Sequence, residues 1–148
     1  MLFRTGNIWD VYKDSDLFVI TTNSFIKSNG NLTMGKGIAL EARLYIPNLE
    51  QILGNLIKKK CGHLGEYGIV QHEKIIALQT KIHFKDGSSL ELIKNSVDEL
   101  KKIIKPEQII NMVYPRIGYG GLSEEDVYWG CGLNTLSDNI VIWRKEKV

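Results

Sequence analysis

The stretch from Asp16 to Ala42, DLFVITTNSFIKSNGNLTMGKGIALEA, constrains the fold of this chain more than any other. Leu17–Thr22 is an apolar, β-branched run that predicts a buried strand. Asn23–Met34 is polar and rich in Asn, Ser and Gly, the composition of a loop. Gly35-Lys36-Gly37 then opens Ile38–Tyr45, a run of good helix formers. A strand that passes through a glycine loop into a helix N-terminus is built to hold an anion. The first-turn N–H groups have no intrahelical partner, and the helix dipole favours negative charge there. Glycine lets the backbone approach a ligand with no Cβ in the way.

Gly30-Asn31-Leu32-Thr33-Met34-Gly35-Lys36-Gly37 comes close to the ATP-binding pattern G-x-x-x-x-G-K-[ST]. Gly37 breaks it, because it has no hydroxyl to place on Mg²⁺. No apolar strand ends in an Asp that would serve as a second holder of the metal. A plain strand–loop–helix connection is the alternative, and a second loop of the same kind weakens it. Gln108–Tyr114, an apolar strand, runs into Pro115-Arg116-Ile117-Gly118-Tyr119-Gly120-Gly121-Leu122. Ser123-x-x-Asp126 then predicts an N-cap for a helix over Glu124–Leu136.

Other elements follow from periodicity and caps. Leu2–Thr5 and Asn139–Arg144, which carries Trp143, predict the outer strands, and Tyr67–Gln71 and Lys74–Gln79 two more. Gly6-Asn7-Ile8 turns the chain out of the first. Leu49, Ile52, Leu53, Leu56 and Ile57 repeat at helical spacing, so Asn48–Lys60 predicts an amphipathic helix with Asn48 as N-cap and Gly62 and Gly65 beyond its end. Ser88-x-x-Glu91 predicts a capping box, followed by Leu90, Ile93, Val97, Leu100 and Ile104 on one helical face. Alternating strands and helices predict an α/β fold: a three-layer α-β-α sandwich with a mixed, mostly parallel central sheet. In such sheets ligands sit at the carboxyl ends of the strands, where both glycine loops fall. The pair suits a nucleotide-like ligand with more than one phosphate, or a phosphate and a sugar.

Composition excludes several alternatives. At 148 residues the chain predicts one domain, over residues 1–148. No apolar run approaches the ~20 residues of a membrane span, and the N-terminus lacks a signal-peptide pattern, so a cytoplasmic monomer is expected. Cys61 and Cys131 are far apart and predict reduced thiols. His63, His72 and His83 share no metal-ligand spacing with them, so neither metal nor cofactor is expected. Lys58-Lys59-Lys60 at a helix end complements the dipole rather than forming a nucleic-acid patch.

At these residues the sequence resembles the macrodomain family, the ADP-ribose-binding fold, over essentially the whole chain. Val19-Ile20-Thr21-Thr22-Asn23 with Met34-Gly35-Lys36-Gly37-Ile38-Ala39 is similar to the family's first loop. The run from Pro115 to Leu122 is similar to its diphosphate-holding loop. Ala77-Leu78-Gln79-Thr80-Lys81 resembles the T-K element of one branch. That branch holds the terminal ADP-ribose protein glycohydrolases and the antitoxins that remove ADP-ribose from DNA.

The resemblance implies a role for each matching residue. Met34, Gly35, Lys36, Gly37 and Ile38 would line the distal ribose and phosphates, with Asn23 facing that ribose. Pro115, Ile117, Gly118, Tyr119, Gly120, Gly121 and Leu122 would wrap the diphosphate. Asn7-Ile8 stands where the family usually has an Asp for the adenine amino group; Asn accepts through its amide oxygen but carries no charge. Trp143 matches an aromatic that stacks on adenine, a core or edge aromatic being the other reading. Lys81 matches a lysine that acts at the anomeric carbon, and Lys36 is a cationic neighbour that would help keep such an amine neutral. The protein glycohydrolases carry an Asp in the second loop, where this chain has Gly120-Gly121-Leu122; the DNA-type antitoxins also lack it. The expected activity is an ADP-ribosyl glycohydrolase acting on an ADP-ribosylated macromolecule, DNA or protein. The alternatives are a non-catalytic ADP-ribose reader and an ADP-ribose 1″-phosphate phosphatase.

Overall fold

The computed structural model describes residues 1–115 and 129–145. Within them the strands are β1 (Leu2–Thr5), β2 (Leu17–Thr22), β3 (Ile69–His72), β4 (Ile75–Gln79), β5 (Ile110–Val113) and β6 (Ile140–Arg144). They form one sheet in the order β1-β6-β5-β2-β4-β3. Every pairing is parallel except β3 with β4. That pair closes through Glu73–Lys74, with Glu73 in the left-handed region at φ 52°. β2 lies in the middle, paired to β5 from Leu17↔Ile110 and to β4 up to Thr22↔Gln79.

A strand paired on both edges and covered on both faces reads as a continuous apolar run, as β2 does. Phe18 and Ile20 face α1 (Gly37–Tyr45) and α2 (Leu49–Lys60), packing with Ala39, Ala42, Leu53 and Ile57. Leu17 and Val19 point the other way, into a cluster with Ile93, Val97 and Leu100 of α3 (Leu90–Ile103) and Met112 of β5. Two cores on opposite faces make the three-layer sandwich. Each fully buried Val, Leu, Ile or Phe contributes about 1.5–3 kcal/mol.

Several expected boundaries shift for local reasons. The N-cap of α3 is Ser89, not Ser88: the Ser89 hydroxyl accepts from the Leu92 N–H, and the Ser89 N–H donates to the Thr80 carbonyl. Glu91 therefore sits one position early for a capping box. Asn48 precedes α2, but in the left-handed region at φ 62°, and its side chain caps nothing; its carbonyl accepts from Gln51 and Ile52. β3 begins at Ile69 because Gly68 turns the chain at φ 70°, where a Cβ would overlap the Glu99 carboxylate. Lys74 belongs to the turn, its ammonium donating to the Tyr12 carbonyl at 2.9 Å. Gln108 and Asn139 tie loops instead of extending strands: Gln108 Oε1 accepts from Lys105 N–H, and Asn139 Nδ2 donates to the Lys105 and Gln108 carbonyls. Tyr114 lies just beyond β5, though its N–H still donates to the Trp143 carbonyl at 2.9 Å. The helix expected to reach Leu136 ends by Cys131; Gly132 turns at φ 77° into a short 3-10 helix, Leu133–Thr135. Its expected start at Ser123 lies outside the described residues.

Gly54 shows how tightly the first loop is laid on α2. A Cβ there would overlap the Gly30 carbonyl oxygen and stand 3.0 Å from the Leu32 nitrogen. Gly54→Ala adds helix propensity but overpacks that contact, and is expected to lower stability by about 1–3 kcal/mol. The check is the denaturant midpoint, and an unchanged or raised midpoint would contradict the packing.

Candidate functional site

The site begins where β2 and β4 end. Their pairing continues past both strands: the Thr80 N–H donates to the Thr22 carbonyl at 3.0 Å, and the Ser24 N–H to the Ile82 carbonyl at 2.9 Å. Asn23 and Lys81 are thereby held on adjacent segments at the carboxyl edge of the sheet. Gln79 fixes the backbone around Lys81. Its Oε1 accepts from the Tyr67 N–H at 2.7 Å, and its Nε2 donates to the Gly65 carbonyl at 2.9 Å and the Lys81 carbonyl at 3.3 Å. The Lys81 side chain is half-buried. Among the described residues neither Lys81 nor Lys36 is held in an ion pair.

Asn23 is locked. Its Oδ1 accepts from the Phe25 N–H at 2.9 Å and its Nδ2 donates to the Thr33 carbonyl at 3.0 Å. Below it the buried Tyr67 hydroxyl donates to the Asn23 carbonyl at 2.7 Å and is hydrogen-bonded to the Thr22 hydroxyl. Burial pushes the Tyr67 phenol well above its ordinary value, so it stays a neutral donor. It is an anchor, not an acid–base group. Cys131 behaves likewise: burial pushes its thiol up to about 11, which keeps it an inert core residue.

The first loop folds back on itself. The Lys27 N–H donates to the Asn31 carbonyl and the Thr33 N–H to the Phe25 carbonyl, and the Ile26 N–H donates to His63 Nδ1 at 2.9 Å. Leu32 and Met34 plug it into the core. Met34 as a whole residue is 1% exposed, so it supports the loop from beneath and does not line a ligand surface as its sequence position suggested. Gly35, Lys36 and Gly37 emerge as the exposed start of α1, with Gly37 at φ 57°. Among the described residues no side chain caps this helix, and none fills the space a Cβ would take at Gly35 or Gly37. Ile38 is half-buried behind them. Beside this loop Phe25 packs edge-on against His63, His83 and Phe84, with centroids 4.8, 4.8 and 5.0 Å away.

At the other end of the edge Asn7 caps the 3-10 helix Ile8–Val11, its Oδ1 accepting from the Trp9 N–H at 3.1 Å. Ile8 is buried. Trp143 is half-buried on β6, its indole N–H donating to Asn111 Oδ1 at 2.8 Å. Gly6 makes room for it: a Cβ there would stand 3.2 Å from the Trp143 ring. Pro115 is buried at the end of β5. Ile117, Gly118, Tyr119, Gly120, Gly121 and Leu122 lie outside the described residues.

Strand order sets these pieces in a row. Across the sheet the carboxyl ends carry Asn7–Ile8 (after β1), Trp143 (β6), Pro115 (β5), Asn23 (β2) and Lys81 (β4). Four steps of about 4.8 Å span ~19 Å. Sequence reading missed the supports of this row, Gln79, Tyr67 and Asn111. For Gln79 and Asn111 the signal was a polar residue inside an otherwise apolar strand.

Comparison with solved structures bears on this arrangement. The macrodomain of Thermus aquaticus DarG superposes with a TM-score of 0.71 at 19% identity, over 99% of this chain and 97% of that one. The chain has the macrodomain fold. The macrodomain of Mycobacterium tuberculosis DarG matches with a TM-score of 0.71 at 22% identity, over 98% of this chain and 97% of its own. Thermosipho africanus DarTG, solved in complex with ADP-ribose, matches with a TM-score of 0.72 at 16% identity; it covers all of this chain but 43% of the larger protein. No protein-family model and no curated protein sequence matches. The macrodomain likeness at these identities is one of fold.

Tyr67 gives this end of the macrodomain sheet a pH signature. Its folded pKa lies above the ordinary value of 10.0, so its contribution is complete below pH 10 and is lost as pH rises further. Tyr67→Phe is expected to lower stability at pH 7 by about 1–3 kcal/mol, leaving the Asn23 carbonyl unpaired. The variant should also lose less stability than the parent above pH 10. Parallel denaturation curves at pH 7 and 11 check both, and identical losses would contradict the assignment.

Proposed function

We propose that this macrodomain binds ADP-ribose and acts as an ADP-ribosyl glycohydrolase, removing ADP-ribose from a modified macromolecule with Lys81 as the chemical residue. The observation that carries it is the continued β2–β4 pairing, which holds Thr80-Lys81 in register with Asn23. The row from Asn7 to Lys81 has the order of the ligand's parts: adenine, diphosphate, distal ribose, anomeric carbon. In this reading Trp143 stacks on adenine and Asn7–Ile8 read its edge. The backbone from Pro115 to Leu122 and the open start of α1, with Lys36, hold the phosphates. Asn23 faces the distal ribose. The resemblance in the two loops and the T-K element supports these assignments, and the ADP-ribose complex of the larger T. africanus protein supports ADP-ribose as the ligand.

For the chemistry, Lys81 in its neutral form attacks the anomeric carbon. The bond from that carbon to the macromolecule breaks, and its electron pair leaves with the departing group, which takes up a proton. Water then displaces the lysine, returning free amine and free ADP-ribose. The ring cluster of Phe25, His63, His83 and Phe84 favours a nucleobase on the far side of the scissile bond, since stacking of a base on aromatic side chains is worth about 1–3 kcal/mol. Lys27, Lys36, Lys81 and Lys85 on the same two segments, against Asp86, favour a phosphate backbone. Both point toward DNA rather than protein.

ADP-ribose at 100 times its Kd should stabilise the protein by about 2.7 kcal/mol, read as a raised Tm. Lys81→Ala should abolish release of ADP-ribose from modified DNA while leaving ADP-ribose affinity within about twofold, as expected when an interaction is made in the transition state. Lys81→Arg should be equally inactive, because guanidinium stays protonated. Parent-like release by either variant would refute the lysine chemistry. A parent that binds ADP-ribose but releases nothing from DNA, protein or ADP-ribose 1″-phosphate would be a reader.

A further inference from the structure

Asn111 is a buried polar residue in the middle of β5, 5% exposed, with both ends of its amide committed. Its Oδ1 accepts the Trp143 indole N–H at 2.8 Å, and its Nδ2 donates to the Ser15 hydroxyl at 2.8 Å. Ser15, also buried, donates its own O–H to the Val11 carbonyl at 2.6 Å. Val11 is the last residue of the 3-10 helix that begins at Ile8 and is capped by Asn7. One amide thus ties Trp143 to the turn carrying Asn7–Ile8. Gly6 closes the arrangement from above: its N–H donates to the Arg144 carbonyl at 2.8 Å, and its missing Cβ leaves room for the indole.

A half-buried indole can be packed by apolar neighbours alone, and Val113 and Trp9 lie in the same cluster. Packing leaves the ring free to tilt or to flip about χ2. A hydrogen bond at Nε1 fixes which edge of the indole points down into the sheet, and therefore which face is offered at the surface. The second bond, through Ser15, fixes the distance from that face to the turn.

We propose that Asn111 is a positioning residue for the base-binding end of the site. It sets the plane of Trp143 and couples that plane to Asn7–Ile8, so that a flat purine is received against the ring in one orientation. This rests on the ADP-ribose reading above, and the test separates the two. Asn111 is buried and bonded to Trp143, and in this proposal it makes no ligand contact of its own, so its effect should run through Trp143.

The experiment is a double-mutant cycle on ADP-ribose affinity by calorimetry, with the parent, Asn111→Leu, Trp143→Ala and the double variant. Asn111→Leu should weaken ADP-ribose roughly 3–10-fold, the scale of one hydrogen bond. Trp143→Ala should weaken it more, and the double variant should match Trp143→Ala, because the partner through which Asn111 acts is gone. Binding of ribose 5-phosphate, which lacks the base, should be unchanged by Asn111→Leu in an NMR titration; a general loss of structure would weaken it too. Should Asn111→Leu fail to fold, Trp143→Phe cuts the same bond from the other side while keeping a ring, and the same roughly 3–10-fold loss is expected. Full parental affinity in Trp143→Phe, or an equal Asn111→Leu loss in both backgrounds, overturns the proposal. If Trp143→Ala binds as the parent does, the proposal falls together with the stacking role of Trp143, and ADP-ribose binding itself stands. If the parent binds no ADP-ribose, both fall.

Discussion

The structure depends on β2. Its side chains are buried from Leu17 to Ile20, its edges are paired by β5 and β4, and its backbone pairing does not stop where the strand does. The Thr22 carbonyl and the Ser24 N–H carry the register of the core out to the surface, onto Thr80 and Ile82. This places a lysine beside an asparagine through backbone hydrogen bonds rooted in a packed interior. The proposed chemistry at an anomeric carbon would require positioning of this kind.

From that junction the rest of the site is a consequence of strand order. Parallel strands deliver all their carboxyl ends to one edge. The loops are held from beneath by buried polar groups: Tyr67 and Gln79 under Asn23 and Lys81, Asn111 under Trp143. These groups cost free energy to bury, and each is hydrogen-bonded, as buried polar groups must be. Above them Gly35 and Gly37 are exposed, and among the described residues no atom lies where a Cβ would stand at either.

Much of this was legible in the sequence. The bounds of β1 and β2 follow from apolar runs that end in turn residues, and α2 from its spacing of Leu and Ile. The loop–helix junction at Gly35-Lys36-Gly37 was readable because glycine marks a backbone requirement rather than a packing one. Local signals failed where a distant partner decides. Ser88 and Ser89 are equal caps on paper, and the bond from Ser89 to Thr80 chooses between them. Asn48 looks like a cap, but the tight passage from α1 to α2 puts its backbone in the left-handed region. Met34 belongs to a loop by sequence and to the core by contact. The juxtaposition of Asn23 and Lys81 is invisible to any window, since Thr22 and Thr80, which make it, are 58 residues apart.

The most direct measurement is a crystal structure of the protein grown with ADP-ribose. The account predicts one ligand lying along the carboxyl edge, with adenine against Trp143, the diphosphate over the start of α1, and the anomeric carbon of the distal ribose within reach of Lys81 Nζ. A ligand in the reverse direction, or one seated instead in the groove lined by Trp9, Leu44 and Tyr45, would contradict it.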